Sequence, residues 1–349
     1  MDEMKSIVKV AVTYIGTVIG AGFASGQEIL RFFTLFGLQG IWGLVFCTVL
    51  FAFLGVLLLF LGHRLNATSY REIIIFACGK RFGPAIDLLL SFFLFGALSV
   101  MLAGAGAVFA EQLGLPTLAG IVVTLVLSVI TVFFGLSGII RANLIVVPVM
   151  IVLGLAVSLP EVHLARVISV LDSFSPVSQA AAPNWLLSAG LYMAFNLVLA
   201  MPVLAPLGKE IPSGRSLILG GLLGGTLLGV LALTMNLALL STYPASAGYQ
   251  VPMLMVAGES RPVLLYFYIF ILWAEIFTTI IGNLFGLGAR LTELTGCSYK
   301  KTVLPMMLGA LILSLLGFAR LVTYLYPMFG YIAIIFVFCL VRSAWFKTR

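Results

Sequence analysis

The stretch VIGAGFASGQE at residues 18–28 interrupts an apolar run that is otherwise suited to a helix. It contains three glycines, Gly20, Gly22 and Gly26. Each glycine costs a helix about 1 kcal/mol relative to alanine. Ser25 and Glu28 have the S-x-x-E spacing of a capping box, in which both side chains bond to free amides at the start of a helix. We therefore predict a first helix that breaks near Gly22 and restarts at Ser25. The alternative is that the glycines only permit close helix packing.

The rest of the chain is apolar along its whole length. Of 349 residues, 62% are hydrophobic and 9% are charged, and the mean hydropathy is +1.21. This composition excludes a soluble domain, so lipid must surround most of the protein. Apolar runs of about 20 residues, enough to cross a hydrocarbon core ~30 Å thick as helix, recur throughout. We predict an all-α protein with ten membrane-spanning helices, at residues 7–36, 41–61, 84–113, 116–136, 142–159, 183–207, 217–240, 262–287, 303–318 and 322–341.

The placement of lysine and arginine predicts the orientation, because short cytoplasmic loops retain these residues. With the N-terminus inside, the cytoplasmic segments hold fifteen of them: Lys5, Lys9, Arg64, Arg71, Lys80, Arg81, Arg141, Lys209, Arg215, Arg290, Lys300, Lys301, Arg342, Lys347 and Arg349. The outer segments hold four: Arg31, Arg166, Arg261 and Arg320. We expect a multi-pass protein of the cytoplasmic membrane with both termini inside.

Several functional classes are disfavoured. The sequence has no GxxxxGK[ST], no HExxH and no nucleophile elbow beside a triad, so we expect no enzyme and no cofactor. His63 and His163 have no metal-ligand spacing with a neighbour. The net charge of +7 follows from the topology and from contact with anionic lipid headgroups, so we expect membrane lipid rather than nucleic acid as a partner.

The sixth span, with NLVLAMPVLAP at residues 196–206, predicts a second interruption. Pro202 and Pro206 each remove an amide donor and clash with the preceding turn. Each half of the chain then opens with a discontinuous helix. Because five is odd, the second half enters the membrane from the opposite side, as in inverted-repeat transporters. We predict one transmembrane domain made of repeats at residues 1–160 and 161–349.

The IGAGF sequence at the first break resembles the glycine motif of the amino acid, polyamine and organocation transporter superfamily. VIGAGFASGQE at residues 18–28, with GKE at 208–210, is more closely similar to the YkvI-like family of bacterial membrane proteins. The resemblance implies a leucine-transporter-type fold of five plus five inverted helices. Helix number and topology match over the whole chain, whereas the motif covers only the first helix and part of the sixth.

The same resemblance implies a substrate site at the first-helix break, where free amides suit a substrate carboxylate. The predicted substrate-binding residues are Gly20, Ala21, Gly22, Phe23, Ala24, Ser25, Glu28, Met101, Tyr192 and Asn196. For the aromatic and Met side chains the alternative is ordinary packing. For Glu28, the capping role competes with direct contact to a substrate amine or ion.

The resemblance also implies a cation site, because sodium-coupled members of the superfamily hold sodium between first-helix carbonyls and eighth-helix hydroxyls. The predicted residues are Ile19, Gly20, Gly22, Phe23, Glu275, Thr278 and Thr279, with sodium at the two threonines. A small and polar stripe, Glu275, Thr279, Gly282 and Gly286, should face the helix bundle. The alternative for the threonines is back-bonding to their own helix, and for Glu275 it is a structural hydrogen bond or a proton-carrying role.

Three further segments predict local structure. Ser69 and Glu72 form a second S-x-x-E box, which should open a short interfacial helix ending at Gly79. The outer segments at residues 161–183 and 243–260 are too long for tight turns and are candidates for lids over the outer vestibule.

Taken together, these residues favour a cation-coupled symporter, with sodium as the expected ion, for an amino acid or a similar small zwitterion or amine. The alternative is a membrane sensor that uses the same fold to detect such a molecule. The sequence leaves open the substrate itself, sodium against proton coupling, symport against exchange, and the oligomeric state.

Overall fold

The structure is a computed structural model that describes residues 2–176, 180–249, 251–260 and 262–347. Regular structure within these ranges is helical, as the composition predicts. The α-helices are α1 Asp2–Val18, α2 Ala21–Ala24, α3 Gln27–Phe32, α4 Leu38–Arg64, α5 Arg71–Leu113, α6 Thr117–Val132, α7 Gly135–Ser158, α8 Leu164–Asp172, α9 Trp185–Glu210, α10 Gly214–Ser241, α11 Pro252–Ser260, α12 Pro262–Thr295, α13 Tyr299–Ser314 and α14 Phe318–Lys347.

Every one of the ten predicted spans contains helix, and the first contains α1, α2 and α3 in series. Among the described residues, seven helices are long and apolar enough to cross a membrane by themselves: Leu38–Arg64, Arg71–Ala110, Gly135–Glu161, Trp185–Glu210, Gly214–Ser241, Leu264–Thr295 and Met328–Trp345. The chain is therefore a multi-pass membrane protein. The count of ten spans stays a prediction.

The predicted break of the first helix is present. Helix α1 ends at Val18, Ile19 and Gly20 are not helical, and α2 is only four residues long. Gly26 then adopts a left-handed conformation with φ of 79° before α3 begins. Only glycine adopts such a φ without strain, which explains its presence at this point.

The capping box predicted at Ser25 and Glu28 is wrong. Helix α3 begins one residue late for that motif, at Gln27, with Gly26 as its N-cap residue and no side-chain cap bond. Ser25 Oγ accepts from the Gln27 amide at 3.3 Å and donates to the Gly22 carbonyl at 3.0 Å. Glu28 occupies the second rather than the third helical position, and its carboxyl is not directed back at Ser25. It lies against Gly22 instead.

The predicted break of the sixth helix is also wrong. Helix α9 runs without interruption from Trp185 to Glu210 and contains both Pro202 and Pro206. Membrane helices tolerate proline where neighbouring helices accommodate the freed backbone groups. Here Gly286 of α12 brings its backbone directly against the Pro202 ring. Of the two predicted interruptions, only that of the first helix is present in the described part of the chain.

Glycines on α10 place α1 and α4 close to its backbone. Gly220 and Gly224 lie against Val10 and Tyr14 of α1. Three further glycines of α10 lie against α4, namely Gly221, Gly225 and Gly229. Helix α4 packs in addition against α9, and α1 against α7 and α9. Small residues permit this close approach of membrane helices, so α1 is held tightly within the bundle.

Helices α5 and α12 pack against each other and are joined by a buried ion pair. Arg290 Nε donates to Asp87 Oδ2 at 2.7 Å, and both side chains are 5% exposed. Arg290 Nη1 also bonds to Glu293 at 3.0 Å, and Glu293 pairs with Arg71. The network crosses from the start of α5 to the end of α12, at the predicted cytoplasmic end of both.

Only half of the second S-x-x-E box is present, whereas the predicted helix end at Gly79 is confirmed. Helix α5 begins at Arg71, with Tyr70 as its N-cap residue and no side-chain cap bond. Glu72 Oε2 accepts from the Ser69 amide at 3.2 Å and from its hydroxyl at 2.8 Å. Helix α5 bends sharply at Gly79, which has φ of 75° and ψ of 170°. The segment before Gly79 is thus a separate short helix in geometry, continuous in the chain with the long span that follows.

Candidate functional site

The non-helical residues between α1 and α2 lie at the centre of the packed helices. Ile19 and Phe23 are buried, and α12 contacts both α1 and α2. Five of the seven predicted cation-binding residues meet here, namely Ile19, Gly20, Glu275, Thr278 and Thr279, whereas Gly22 lies against Glu28. The polar stripe of α12 faces this region, as predicted, since Thr279 contacts the first-helix break while Gly282 and Gly286 pack against Val203 and Pro202 of α9.

Thr279 connects α12 to the end of α1. Its Oγ1 lies 3.0 Å from the Ile19 carbonyl oxygen and 3.0 Å from the Glu275 carbonyl oxygen. A threonine hydroxyl carries one hydrogen, so it donates to one of these acceptors at a time. Thr278 Oγ1 lies 3.0 Å from the same Glu275 carbonyl and 3.4 Å from Glu275 Oε2. Hydroxyl, carbonyl and carboxyl oxygens from two helices therefore converge.

The arrangement shows both features that were predicted as alternatives for the threonines: bonds within their own helix, and oxygen atoms placed as in a cation site. Both threonines bond to Glu275 within α12, as membrane helices permit, but the contact from Thr279 to Ile19 crosses to another helix. Glu275 is fully buried, and its Oε1 has no hydrogen-bond partner within the described residues. Hard cations take oxygen ligands of these kinds, so the cluster is chemically suited to a cation.

Gly20 and Met101 extend the cluster toward α5. A Cβ at Gly20 would lie 3.2 Å from Thr279 Oγ1 and 3.5 Å from Met101 Cε. The absence of a side chain at Gly20 therefore lets the break approach both α12 and α5. Met101 is thus next to the cation cluster rather than next to Tyr192, with which the sequence grouped it.

Glu28 and Gly22 form a second group on the other side of α2. A Cβ at Gly22 would lie 2.5 Å from Glu28 Cδ and 2.6 Å from Glu28 Cγ. The Tyr192 hydroxyl of α9 lies next to the Glu28 carboxyl. Glu28 is 6% exposed, and its Oε2 has no hydrogen-bond partner among the residues that the structure describes. The structure thus brings three of the predicted substrate residues together.

Aromatic rings surround Tyr192. Its ring centroid lies 5.2 Å from that of Phe32, 5.0 Å from that of Phe33 and 5.4 Å from that of Phe195. Asn196 is buried one turn further along α9, but its amide donates to the Tyr192 carbonyl at 3.0 Å within the same helix. Phe195 and Tyr192 therefore belong to one aromatic cluster, and the Asn196 amide group is engaged by its own backbone.

The side of the break that the predicted topology directs outward is covered by α11 and α12. The Ser25 carbonyl accepts from the Met253 amide of α11 at 3.0 Å, and the Ala24 carbonyl accepts from Tyr268 Oη of α12 at 2.7 Å. Gly26 lies directly against the Met253 side chain. The predicted outer segment at residues 243–260 thus contacts the break. Of Ala21, another predicted site residue, the side chain lies outside the described residues.

Tyr268 and Met253 are contacts that the sequence interpretation missed. Tyr268 stands seven residues before Glu275 on α12, which is two helical turns, so extending the polar stripe backward would have included it. Met253 gives no comparable signal, because its contribution is a backbone amide. The other outer segment forms α8 at Leu164–Asp172, which contacts α10.

Comparison with known proteins decides the family. The chain is 38% identical over 346 residues to the Bacillus subtilis (strain 168) membrane protein YkvI, covering 97% of this chain and 96% of that protein. The chain belongs to the YkvI family of bacterial membrane proteins. It is also 25% identical over 329 residues to YyaD of the same organism, covering 93% of each. No protein-family model matches the chain.

Solved structures share the fold of this YkvI family member. MhsT in complex with L-phenylalanine matches with a TM-score of 0.71 at 18% identity, over 97% of this chain and 88% of MhsT. A Na⁺-coupled sialic acid symporter matches with a TM-score of 0.70 at 14% identity, over 96% and 77%. Mhp1, a nucleobase-cation-symport-1 family transporter, matches with a TM-score of 0.60 at 16% identity, over 97% and 75%.

These likenesses identify the leucine-transporter-type fold that the resemblance at residues 18–28 implies. The functions named among the matched proteins are transport functions and none is enzymatic, in agreement with the prediction that the chain is not an enzyme. The identities to the solved structures are all below 25%, so what they establish for this chain is the fold.

Proposed function

We propose that this YkvI family member is a secondary active transporter that couples movement of a small zwitterion or amine to a cation, with sodium as the coupling ion. The observation that carries the proposal is the convergence of Thr279 Oγ1 with the Ile19 and Glu275 carbonyl oxygens at the first-helix break. A cation bound there joins α1 to α12, so its binding and release change how the two helices are held together. This is the type of linkage that coupled transport needs.

The proposed substrate site lies on the opposite side of α2, at Gly22, Glu28 and Tyr192. Because α2 is four residues long, a change at the cation cluster is transmitted to the substrate site over a very short distance. The cover formed by Met253 and Tyr268 closes the break toward the outer side. Opening of this cover is the step that we assign to substrate access from outside.

Helix contacts support the proposed inverted repeat of residues 1–160 and 161–349. Helix α4 packs on α9, and α10 packs on α1. If a two-fold axis relates the repeats, it carries the contact of α4 with α9 onto the contact of α10 with α1. The same relation exchanges the contact of α5 with α14 and that of α12 with α7, both of which are present. The interruption is limited to the first repeat, so the repeats differ where the site lies.

The direct test is uptake by the purified protein in liposomes. Vesicles with an inward sodium gradient, an inward proton gradient or neither are assayed with labelled amino acids and amines. The proposal expects accumulation of at least one compound that requires the sodium gradient and is lost with a sodium ionophore. Accumulation with protons alone places the coupling on a carboxyl group such as Glu275. Saturable binding without movement in any gradient contradicts transport and favours a ligand sensor.

A further inference from the structure

Glu28 is a buried carboxyl group that the described protein leaves incompletely bonded. Its side chain is 6% exposed, and Oε2 has no hydrogen-bond partner among the described residues. The ion pairs found in that part of the chain join Lys9 to Glu210, Arg71 to Glu293, Arg215 to Glu3, and Arg290 to Asp87 and Glu293. None includes Glu28. The Tyr192 hydroxyl lies next to the carboxyl group, so Glu28 has a polar neighbour but no cationic one among the described ion pairs. A buried carboxylate without a cationic partner is costly, so its retention needs a reason.

A helix-capping reason is removed by the structure. Helix α3 has no side-chain cap bond, and Glu28 points away from its start toward Gly22. Arg31, one turn later on α3, is exposed and belongs to none of the ion pairs among the described residues. The carboxyl group is therefore directed into the region of the first-helix break rather than toward a basic side chain of its own helix.

The position of the carboxyl group determines which ligand charge it favours. Glu28 Cδ and Cγ occupy the space directly beside Gly22, where a Cβ would lie within 2.6 Å of both. A ligand carboxylate at this position would meet a like charge in a buried site, which is strongly unfavourable. An ammonium group with N–H donors would instead gain an opposite charge and supply the bond that Oε2 lacks.

The surrounding rings favour the same ligand chemistry. Phe32 follows Glu28 by one helical turn, so the two share a face of α3. The Phe32 ring centroid lies 5.2 Å from that of Tyr192 and 5.7 Å from that of Phe195. Aromatic faces attract ammonium groups and also pack against aliphatic or aromatic ligand carbons. The region therefore offers one acceptor carboxyl group beside an apolar, aromatic wall.

We propose that Glu28 selects a small organic amine that lacks a carboxylate, with the protein rather than the ligand supplying the negative charge at the first-helix break. The inference rests on the proposed transport function and narrows its substrate class from zwitterion or amine to amine. It makes Glu28 a specificity-determining residue: the ammonium group binds Glu28, and the carbon skeleton contacts the rings of Phe32, Tyr192 and Phe195.

The test compares amino acids with the amines that remain when their carboxylate is removed. Binding to the purified full-length protein and counterflow in liposomes are measured for phenylalanine against phenethylamine, leucine against 3-methylbutylamine, and alanine against ethylamine. We expect at least one amine to bind tenfold or more tightly than its amino acid. Glu28→Gln keeps the shape of the side chain and removes its charge, so it should weaken the binding of that amine at least tenfold. Asp172→Asn, at the exposed end of α8, is the matched control and should leave both values unchanged.

Each other outcome contradicts the inference in a recognisable way. Tighter binding and transport of the amino acids overturns the amine assignment and leaves the transport function standing. An unchanged amine affinity in Glu28→Gln removes Glu28 from the site. Loss of sodium dependence with retained amine preference in that variant assigns Glu28 to the coupling ion instead. Binding and counterflow of neither member of any pair, with no gradient-driven uptake in the wider panel, overturns the proposed function as well. The wild-type comparison needs no variant, so it decides the selectivity even if Glu28→Gln fails to fold.

Discussion

The hydroxyl of Thr279 lies 3.0 Å from the carbonyl oxygen of Ile19, although 260 residues separate them in the chain. This contact joins the first residue of the break, directly after α1, to the middle of α12. It ties the helix that carries the proposed cation ligands to the discontinuous helix that carries the proposed substrate ligands. A change at either residue should therefore affect the binding of both ligands.

Replacing Thr279 by alanine should weaken the cation site and, through it, substrate affinity at fixed sodium. Coupling between two ligands is reciprocal, so raising sodium should partly restore the affinity. Thr279→Ser keeps the hydroxyl and is the matched control. The measurement is substrate binding at several sodium concentrations for both variants, with Glu275→Gln as the test of proton coupling. Sodium-independent affinity in the unaltered protein would leave the threonines as helix packing.

Gly22→Ala should displace the Glu28 carboxyl, because the new Cβ would lie 2.5 Å from Glu28 Cδ. Glu28 is a flexible side chain, so we expect the protein to fold and ligand binding to fall at least tenfold. Gly22→Val should abolish binding. Gly190→Ala is a suitable control, since its Cβ would meet only Ile334 at 3.5 Å. Ligand binding and size-exclusion profiles are compared, and full affinity in Gly22→Val would argue against a site here.

Tyr268→Phe removes the hydroxyl that donates to the Ala24 carbonyl at 2.7 Å. A buried acceptor left without its donor costs about 1 to 3 kcal/mol, so we expect reduced thermal stability and a cover that opens more readily. Tyr266, two residues earlier on α12, is 69% exposed, and Tyr266→Phe should change neither property. Thermal unfolding and the accessibility of a cysteine introduced at Ser25 report the two effects. Equal behaviour of the two variants would contradict the role assigned to Tyr268.

Asp87→Asn breaks the buried pair with Arg290 and leaves the guanidinium with only the more exposed Glu293 as its ion-pair partner. Removing one member of a buried pair costs about 3 to 5 kcal/mol, so the variant should unfold at clearly lower temperature. The control is Glu3→Gln, which breaks an exposed pair with Arg215 at 3.7 Å and should cost less than about 1 kcal/mol. Thermal denaturation in the same detergent compares the two, and a similar loss in both would show that Asp87 and Arg290 do not stabilise the bundle as a pair.

Both termini and residues 64–81 should lie in the cytoplasm, because fifteen of the lysines and arginines fall on that side in the predicted topology and four on the other. Single cysteines introduced at Lys5, Lys80, Lys209 and Arg342 should react with a membrane-impermeant reagent only in inverted vesicles. A cysteine at Arg166 should react in intact cells. Labelling of either terminus from outside would remove the basis for two inverted repeats.

The two S-x-x-E motifs show why the sequence predicted some local structure correctly and some incorrectly. At Ser69 the glutamate does bond back to the amide of the serine. Both helices begin one residue later than the motif requires, with Tyr70 and Gly26 as their N-cap residues. Tyr70 has a right-handed conformation, whereas Gly26 is left-handed and Glu28 lies against Gly22. The S-x-x-E motif indicates which side chains are able to cap a helix. The backbone of the residue between them decides whether they do so, and glycine leaves that choice to the surrounding packing.

The predicted break in the first helix is present and that in the sixth is not, for a similar reason. Glycines weaken a helix in any surroundings, so the break after Val18 was predictable from composition. The effect of Pro202 depends on what lies beside it, and Gly286 is 84 residues away in the sequence. The contact of Tyr268 could have been predicted by extending the polar stripe of α12 toward its start. The contact of Met253 could not, because it is made by a backbone amide, which every residue except proline carries.

The ion pair between Asp87 and Arg290 also has a consequence for biosynthesis. The two residues are separated by 203 positions, and a ribosome that adds about 5 to 20 residues per second completes Asp87 about 10 to 40 s before Arg290. During this interval α5 carries a carboxylate whose partner has not been made. An unpaired charge costs at least about 2.5 kcal/mol at the centre of a membrane helix, and the cost is smaller at the predicted cytoplasmic end, where Asp87 lies. The nascent chain therefore passes through a stage in which α5 depends on the insertion machinery or on headgroup water, and that stage ends only when α12 emerges.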